Sequence, residues 1–76
     1  MVLEQRHVAP DRSGRGWIVE KPRGKRVSSR HATQAEAIER ASAILEHAGG
    51  GELFIRDVDG LIHEKRLIAP AAAAAG

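Results

Sequence analysis

The amino-acid sequence predicts a small α+β domain, with a single helix packed on one face of an antiparallel sheet and the element order β-β-β-α-β-β. Three observations lead to this fold class. The first thirty residues hold short β-branched and aromatic segments separated by turns rich in Gly and Pro, a capping box opens one amphipathic segment, and an Asp-Gly pair joins two further alternating segments. Because a helix and a sheet each have an apolar face to bury, the simplest arrangement packs one on the other.

Three strands are expected before the helix. Residues 5–8 form a short extended segment, residues 17–20 carry Trp17 and Val19 on one face by the period of two, and residues 26–29 form a returning strand. In the turn over residues 22–25, Gly24 is available for a positive φ. Since the chain has one Trp, one Phe and no Tyr, we expect Trp17 to pack in the core rather than to stack on a ligand.

The helix is expected over about residues 33–48. Thr33 and Glu36 have the spacing of a capping box, and the glycines at positions 49–51 end the helix. Apolar residues at spacings of three and four predict the face that packs on the sheet. They are Ile38, Ala41, Leu45 and Ala48.

A C-terminal hairpin follows the helix. Residues 52–56 and 61–66 flank a turn that contains the hairpin signal Asp59-Gly60. The carboxylates of Asp57 and Asp59 beside a glycine also resemble the start of a calcium loop, but the flanking helices and the final glutamate of an EF-hand are missing. A plain hairpin turn is therefore the preferred interpretation.

The length limits the chain to a single core. With 76 residues and no cysteine, we expect one domain over residues 1–68, without disulfides or thiolate zinc sites. Residues 69–76 are nearly all alanine and too few for a stable isolated helix, so a disordered tail is expected. Val2 and Leu3 run directly into Glu4, without the apolar core of a secretory leader, and no apolar segment approaches a membrane span. We therefore expect a cytoplasmic protein that does not interact with membranes.

The sequence holds no recognisable catalytic or metal-binding motif. Ser28, Ser29 and His31 lie close together, but no nucleophile elbow surrounds them, and residues so close at a strand end are not expected to face each other. The histidines are spread along the chain without metal-ligand spacing, at His7, His31, His47 and His63. We therefore predict a protein that is not an enzyme and that takes no metal, no cofactor and no small-molecule substrate.

The charges divide the chain into a basic and an acidic part. Residues 12–30 carry seven Arg and Lys against Glu20 alone, a local net charge of +6, whereas residues 36–64 carry seven acids against two arginines, a net charge of −5. Basic side chains neutralise phosphates, and a two-stranded ribbon fits the major groove. We therefore expect a module that binds nucleic acid, with double-stranded DNA as the partner. The expected phosphate contacts are Arg15, Arg23, Lys25, Arg26 and Arg30.

The same division of charge leaves a second interpretation open. A molecule with one positive and one negative face can associate with a second copy of itself or with another protein. The alternative function is therefore a protein-interaction or homodimeric assembly domain that uses a sheet edge or the helix face.

Several separated motifs resemble one bacterial family. They are His7-Val8-Ala9-Pro10, Gly16-Trp17-Ile18-Val19, Thr33-Gln34-Ala35-Glu36-Ala37-Ile38, Gly51-Glu52-Leu53-Phe54-Ile55 and Asp59-Gly60-Leu61-Ile62-His63-Glu64. Over about residues 6–66 the chain is thereby similar to a family of unknown function, DUF2188. This resemblance implies a compact bacterial β/α domain and no particular activity.

A looser similarity concerns arm-type DNA-binding domains of phage integrases. The Gly16-Trp17 strand, the basic turn and the helix that starts at Thr33 resemble those domains, in which a three-stranded sheet precedes a helix and enters the DNA groove. The hairpin over residues 52–66 departs from that pattern and would either cover or extend the sheet.

Overall fold

The structure is a computed structural model that describes residues 3–24 and 26–71. Five strands and one helix follow each other in the predicted order. They are β1 (Glu4–Pro10), β2 (Trp17–Glu20), β3 (Val27–His31), α1 (Gln34–His47), β4 (Gly51–Arg56) and β5 (Ile62–Ile68). Three strands, β1, β3 and β5, end two residues later than the sequence predicts, because their pairing with neighbouring strands continues past the local turn signals. Residues 72–76, most of the predicted tail, lie outside the described residues.

The strands form one mixed sheet of order β3-β2-β1-β4-β5. β1 pairs parallel with β4, from Glu4 opposite Gly51 to Val8 opposite Ile55, while the other neighbouring strands are antiparallel. The expectation of a purely antiparallel sheet is therefore wrong. The chain reverses after β1 and again after β2, so β3 runs in the direction of β1. Because α1 then runs back across the sheet, β4 also runs in the direction of β1 and pairs beside it. The C-terminal hairpin thus extends the sheet and does not cover it.

The helix begins where the capping box predicts. Thr33 is the N-cap in extended conformation, and its hydroxyl accepts a hydrogen bond from the N–H of Glu36 at 3.1 Å. This satisfies one of the N–H groups that the first helical turn leaves without a partner.

The buried face of α1 differs by one position from the prediction. Ala37, Ala41 and Leu45 are buried at a strict spacing of four. Ile38 packs only partly buried at the side of the core, and Ala48 is exposed because it is the C-cap. Two alanines at the contact let the helix lie close to the sheet.

The core lies between α1 and one face of the sheet. Val8, Val19, Leu53 and Ile55 of the three central strands contact the helix residues and are at most 2% exposed. Trp17 is partly buried against this cluster, in the core position expected for it. Among the described residues, no helix has the length and hydropathy needed to cross a membrane.

Candidate functional site

The face of the sheet opposite α1 carries a groove of about 550 Å³. Its floor comes from β1 and β2, where Ala9 pairs with Ile18 and His7 pairs with Glu20. These residues alternate with Val8 and Val19 of the core, so their side chains point to the other face. We call this the open face. The loops around the groove contribute Arg12, Lys21, Pro22, Arg23, Val58 and Asp59.

The floor of the groove is apolar although α1 does not cover it. Ala9 is 7% exposed and Ile18 is 3% exposed. The β1–β2 loop, the β2–β3 turn and the β4–β5 loop all line the groove above them and shield them from water. The groove therefore combines an apolar floor with charged walls.

A polar cluster around His7 forms one side of the groove. The centroid of its ring lies 4.8 Å from that of Phe54, and its Nδ1 lies 3.4 Å from Nη2 of Arg56. Arg56 Nη1 donates to the Gly60 carbonyl at 2.7 Å, which fixes the guanidinium. Burial, and then the charge of Arg56, lower the pKa of His7 below its ordinary value, while Glu20 acts in the opposite direction. The arrangement therefore favours a neutral ring whose Nδ1 accepts from Arg56.

The β2–β3 turn has an uncommon backbone conformation at Arg23. The Gly24 N–H donates to the Lys21 carbonyl at 2.9 Å, with Pro22 and Arg23 between them. Arg23 has a φ of 62° and is the single non-glycine residue with positive φ in the described part of the chain. The positive φ expected at Gly24 is therefore wrong by one position. In a type II turn the second residue is often proline, and the third residue has a positive φ, which favours glycine. Pro22 and Arg23 occupy these two positions here.

The described members of the predicted DNA-contacting set lie at two ends of the β2–β3 pair. Arg15 lies in the loop before β2, and Arg30 lies near the end of β3 beside that loop. Arg23 and Arg26 lie in the turn at the other end, and all four of these arginines are exposed. Lys25 lies outside the described residues. Arg23 lines the groove, so the structure connects the turn to the open face.

Three basic residues of the groove were not among the predicted contacts. Arg12 and Lys21 belong to the basic segment, and their charge alone was a sufficient signal for including them. Arg56 stands in the acidic part of the sequence, and it reaches the groove because β4 pairs parallel with β1. Local sequence carries no signal for that placement.

The basic segment differs from the rest of the chain in its ion pairs. Outside it, Arg6 pairs with Glu4 at 2.5 Å, Lys65 with Glu52 at 2.6 Å, and Arg66 with Glu64 at 2.5 Å. Inside it, the single ion pair among the described residues joins Arg30 to Asp11 at 4.0 Å. The members with no carboxylate of the described residues within 4.0 Å are Arg12, Arg15, Lys21, Arg23 and Arg26. Most cationic side chains of residues 12–30 therefore form no ion pair with a described carboxylate, and the segment keeps a net positive charge.

Ser29 and His31 share one face of β3. Ser29 Oγ lies 2.7 Å from His31 Nε2, so the expectation that these residues do not face each other is wrong. The reason is the period of two, which places residues i and i+2 of a strand on the same face. Nucleophilic catalysis also needs a third group that orients the base. Within the described residues, no side chain hydrogen-bonds the second ring nitrogen of His31.

The acidic turn after β4 is organised around Asp57. Its Oδ1 accepts hydrogen bonds from the N–H of Asp59 at 2.9 Å and of Leu61 at 3.1 Å, so the carboxylate closes a hairpin turn as preferred above. Across residues 3–24 and 26–71, no group of three or more His, Asp or Glu side chains could hold a metal ion.

Comparison with known proteins gives one match. The model of a family described as "Uncharacterized protein conserved in bacteria (DUF2188)" matches residues 6–67, from within β1 to near the end of β5. No curated protein and no solved structure matches the chain significantly.

Proposed function

Because the chain belongs to the bacterial DUF2188 family, whose description names no activity, we propose its function from its own geometry: it is a non-enzymatic module that binds double-stranded DNA. The contact surface is the basic edge, defined as Arg12, Arg15, Arg23, Arg26 and Arg30 on the β1–β2 loop, the β2–β3 turn and β3. The observation that carries the proposal is the nearly unpaired charge of this edge. An arginine without an internal carboxylate partner is available to a phosphate, which it can bind through two parallel N–H groups.

The exposure of the basic edge supports the same proposal. The Arg30 side chain is 69% exposed, although it lies within 4.0 Å of Asp11. It projects from the open face, since its Cα partner is Ile18 of the groove floor. Arg12 and Arg23 line the groove on that same face. A phosphate backbone laid along this side would therefore meet several arginines at once.

The position of β2 inside the sheet defines how the DNA is contacted. β2 pairs with β1 on one side and β3 on the other, so the basic hairpin is part of the sheet and not a free ribbon. We therefore expect contacts from the turn and the edge to the phosphate backbone, and not insertion of a two-stranded ribbon into the major groove. Phosphate contacts position a protein without reading bases, so binding should depend little on sequence.

Fluorescence anisotropy with a labelled duplex tests this proposal. At about 50 mM salt, Arg23→Glu and Arg26→Glu should each weaken binding about fivefold or more, and each should lower the slope of log K against log salt by about 1, because each contacted phosphate releases counterions. Arg40→Glu is the matched control, since it makes the same charge change at an exposed residue of α1, on the other side of the sheet.

The control separates a local contact from a general charge effect. If Arg40→Glu weakened binding as much as Arg23→Glu and Arg26→Glu, attraction would depend on net charge alone and the basic edge would not be the contact surface. Wild-type protein that shows no salt-sensitive binding would refute the proposal altogether.

A further inference from the structure

Exposed apolar side chains concentrate at the β5 end of the molecule. Among the described residues, the exposed large apolar side chains are Leu3, Val58, Leu61, Ile62 and Leu67. Four of these five belong to the β4–β5 loop and to β5, and Leu67 is 75% exposed. An edge strand that carries such side chains is a template for pairing with another strand.

The two edges of the sheet differ in chemistry. In the described part of the chain β3 and β5 are the edge strands. β3 exposes Ser28 and Arg30, as expected for an edge in contact with water or with a polyanion. β5 carries Lys65 at its centre. A lysine that extends into solvent from an edge strand would oppose pairing of that strand with another chain. The Nζ of Lys65 is instead held at 2.6 Å from Glu52 and 5.7 Å from the Phe54 ring centroid, both on the neighbouring strand β4.

The charges and apolar residues of β5 match when the strand is laid antiparallel to a second copy of itself. Around Lys65 as the centre, Glu64 stands opposite Arg66, His63 opposite Leu67, and Ile62 opposite Ile68. We propose that β5 pairs antiparallel with β5 of a second copy of this chain, about a two-fold axis at Lys65. Glu64 and Arg66 of both copies would then meet on the helix side of the sheet, because their partners on β4 are the core residues Ile55 and Leu53. Glu64 and Arg66 already pair with each other at 2.5 Å within one strand. In the dimer each Glu64 would also face Arg66 of the other copy, so the two internal pairs would join into one cluster of four alternating charges.

The two neighbouring registers place like charges opposite each other. A two-fold axis at Glu64 puts the two Glu64 carboxylates face to face, and an axis at Arg66 does the same to the two guanidiniums. A register in which the two-fold axis falls between two residues would place side chains from different faces of the sheet opposite each other. The axis at Lys65 opposes two lysines, but each is neutralised by its own Glu52. Charge complementarity therefore favours the axis at Lys65 over its two neighbours and a second copy of this chain as the occupant.

Charge reversal tests the pairing in solution. Sedimentation equilibrium should show a reversible dimer of the wild-type chain. Glu64→Arg and Arg66→Glu should each raise the dimer Kd by about tenfold or more, because each turns two attractive cross-strand pairs into repulsive ones. Combining both changes in one chain should restore the wild-type Kd, since the opposite charges again face each other across the axis.

Mixing the two single variants gives a further test that misfolding cannot imitate. Glu64→Arg and Arg66→Glu proteins, each monomeric alone, should form a heterodimer when combined in equal amounts. Glu46→Arg, on the exposed surface of α1, is the control and should leave the dimer Kd unchanged. A wild-type chain that stays monomeric to millimolar concentration would overturn the proposal. So would single variants that dimerise like the wild type.

Discussion

At the scale of single residues, Arg23 combines a strained backbone with an exposed charge. A left-handed conformation costs a residue with a Cβ about 1–2 kcal/mol, whereas glycine adopts it freely at an entropic cost of about 0.5–1 kcal/mol. We therefore expect Arg23→Gly to raise the free energy of unfolding by about 0.5–1 kcal/mol in urea denaturation. The same change should weaken DNA binding, because it removes one guanidinium from the basic edge. Strain retained at an exposed arginine is typical of a functional position.

Arg26→Gly is the matched control for the change at Arg23. Arg26 is an exposed arginine next to the same turn, but it has no positive φ. Glycine there should lower the free energy of unfolding while it also weakens DNA binding. If Arg23→Gly were destabilising to the same extent as Arg26→Gly, the left-handed conformation of the turn would carry no strain.

His7 makes the stability of the domain depend on pH. Burial and Arg56 lower its pKa in the folded state below 6.5, the value for an unperturbed histidine. The unfolded chain therefore binds the proton more readily, and the stabilising contribution of neutral His7 is present above pH 6.5 and is lost as the pH falls through the folded pKa. Urea denaturation between pH 7.5 and pH 5 should show this loss for the wild type. His7→Gln should reduce this loss, and a variant that keeps the full loss would show that another group causes it.

At the scale of elements, two adjacent glycines end α1 and prepare the entry into β4. The Gly50 N–H donates to the Leu45 carbonyl at 2.7 Å and the Gly49 N–H to the Glu46 carbonyl at 3.3 Å, which is the Schellman pattern. Their φ values, 96° and 94°, are nearly the same, but their surroundings differ. A Cβ on Gly49 would meet nothing within 4 Å, whereas one on Gly50 would lie 2.8 Å from the Ile68 carbonyl oxygen of β5.

The two glycines therefore allow backbone strain to be separated from steric contact. Gly49→Ala should cost about 1 kcal/mol of unfolding free energy, from the left-handed conformation alone. Gly50→Ala should cost about 2 kcal/mol or more, because the β5 backbone must also shift. Thermal or urea unfolding of both variants measures the difference. Equal losses would show that β5 accommodates a methyl group at position 50 without cost.

Local signals predicted the elements well and their assembly less well. Thr33, Glu36 and the glycines after His47 located both ends of the helix, because caps act through neighbours in sequence. The parallel pairing of β1 with β4 was missed, since no local pattern records which strand a returning chain will join. The burial of Ala37 in place of Ile38 has the same origin. Both residues fit a helical period, and the close approach of helix to sheet selects the smaller one.

At the scale of the whole molecule, the positive charge of residues 12–30 was predictable from the sequence, whereas the groove was not. The excess of positive charge over residues 12–30 is visible in the sequence alone. The groove needs Arg56 and Val58 from the distant hairpin, and these meet Arg12 and Arg23 only after the sheet has formed. The lack of ion pairs at Arg12 and Arg23 is likewise a property of the fold. Asp11, Glu20 and Asp59 line the same groove, yet none of them lies within 4.0 Å of these two guanidiniums.

The two proposed surfaces lie at opposite edges of the sheet, which has a consequence for DNA. In a dimer joined through β5, the two β3 strands are the outermost of ten, about 43 Å apart at about 4.8 Å per strand. The right-handed twist of the sheet accumulates over this distance and turns the two basic edges away from each other. A short duplex cannot contact both, so the dimer should bridge two separate duplexes.

Capture of a labelled duplex on beads that carry a second, unlabelled duplex measures such bridging. Wild-type protein should retain the label. Glu64→Arg and Arg66→Glu should bind the bead-bound duplex without retaining the label, since each leaves the basic edge intact and removes the second copy. These two variants change the net charge in opposite directions, so a loss shared by both cannot come from charge. Their equal mixture should restore bridging, and retention of the label by either variant alone would show that β5 pairing is not what joins the duplexes.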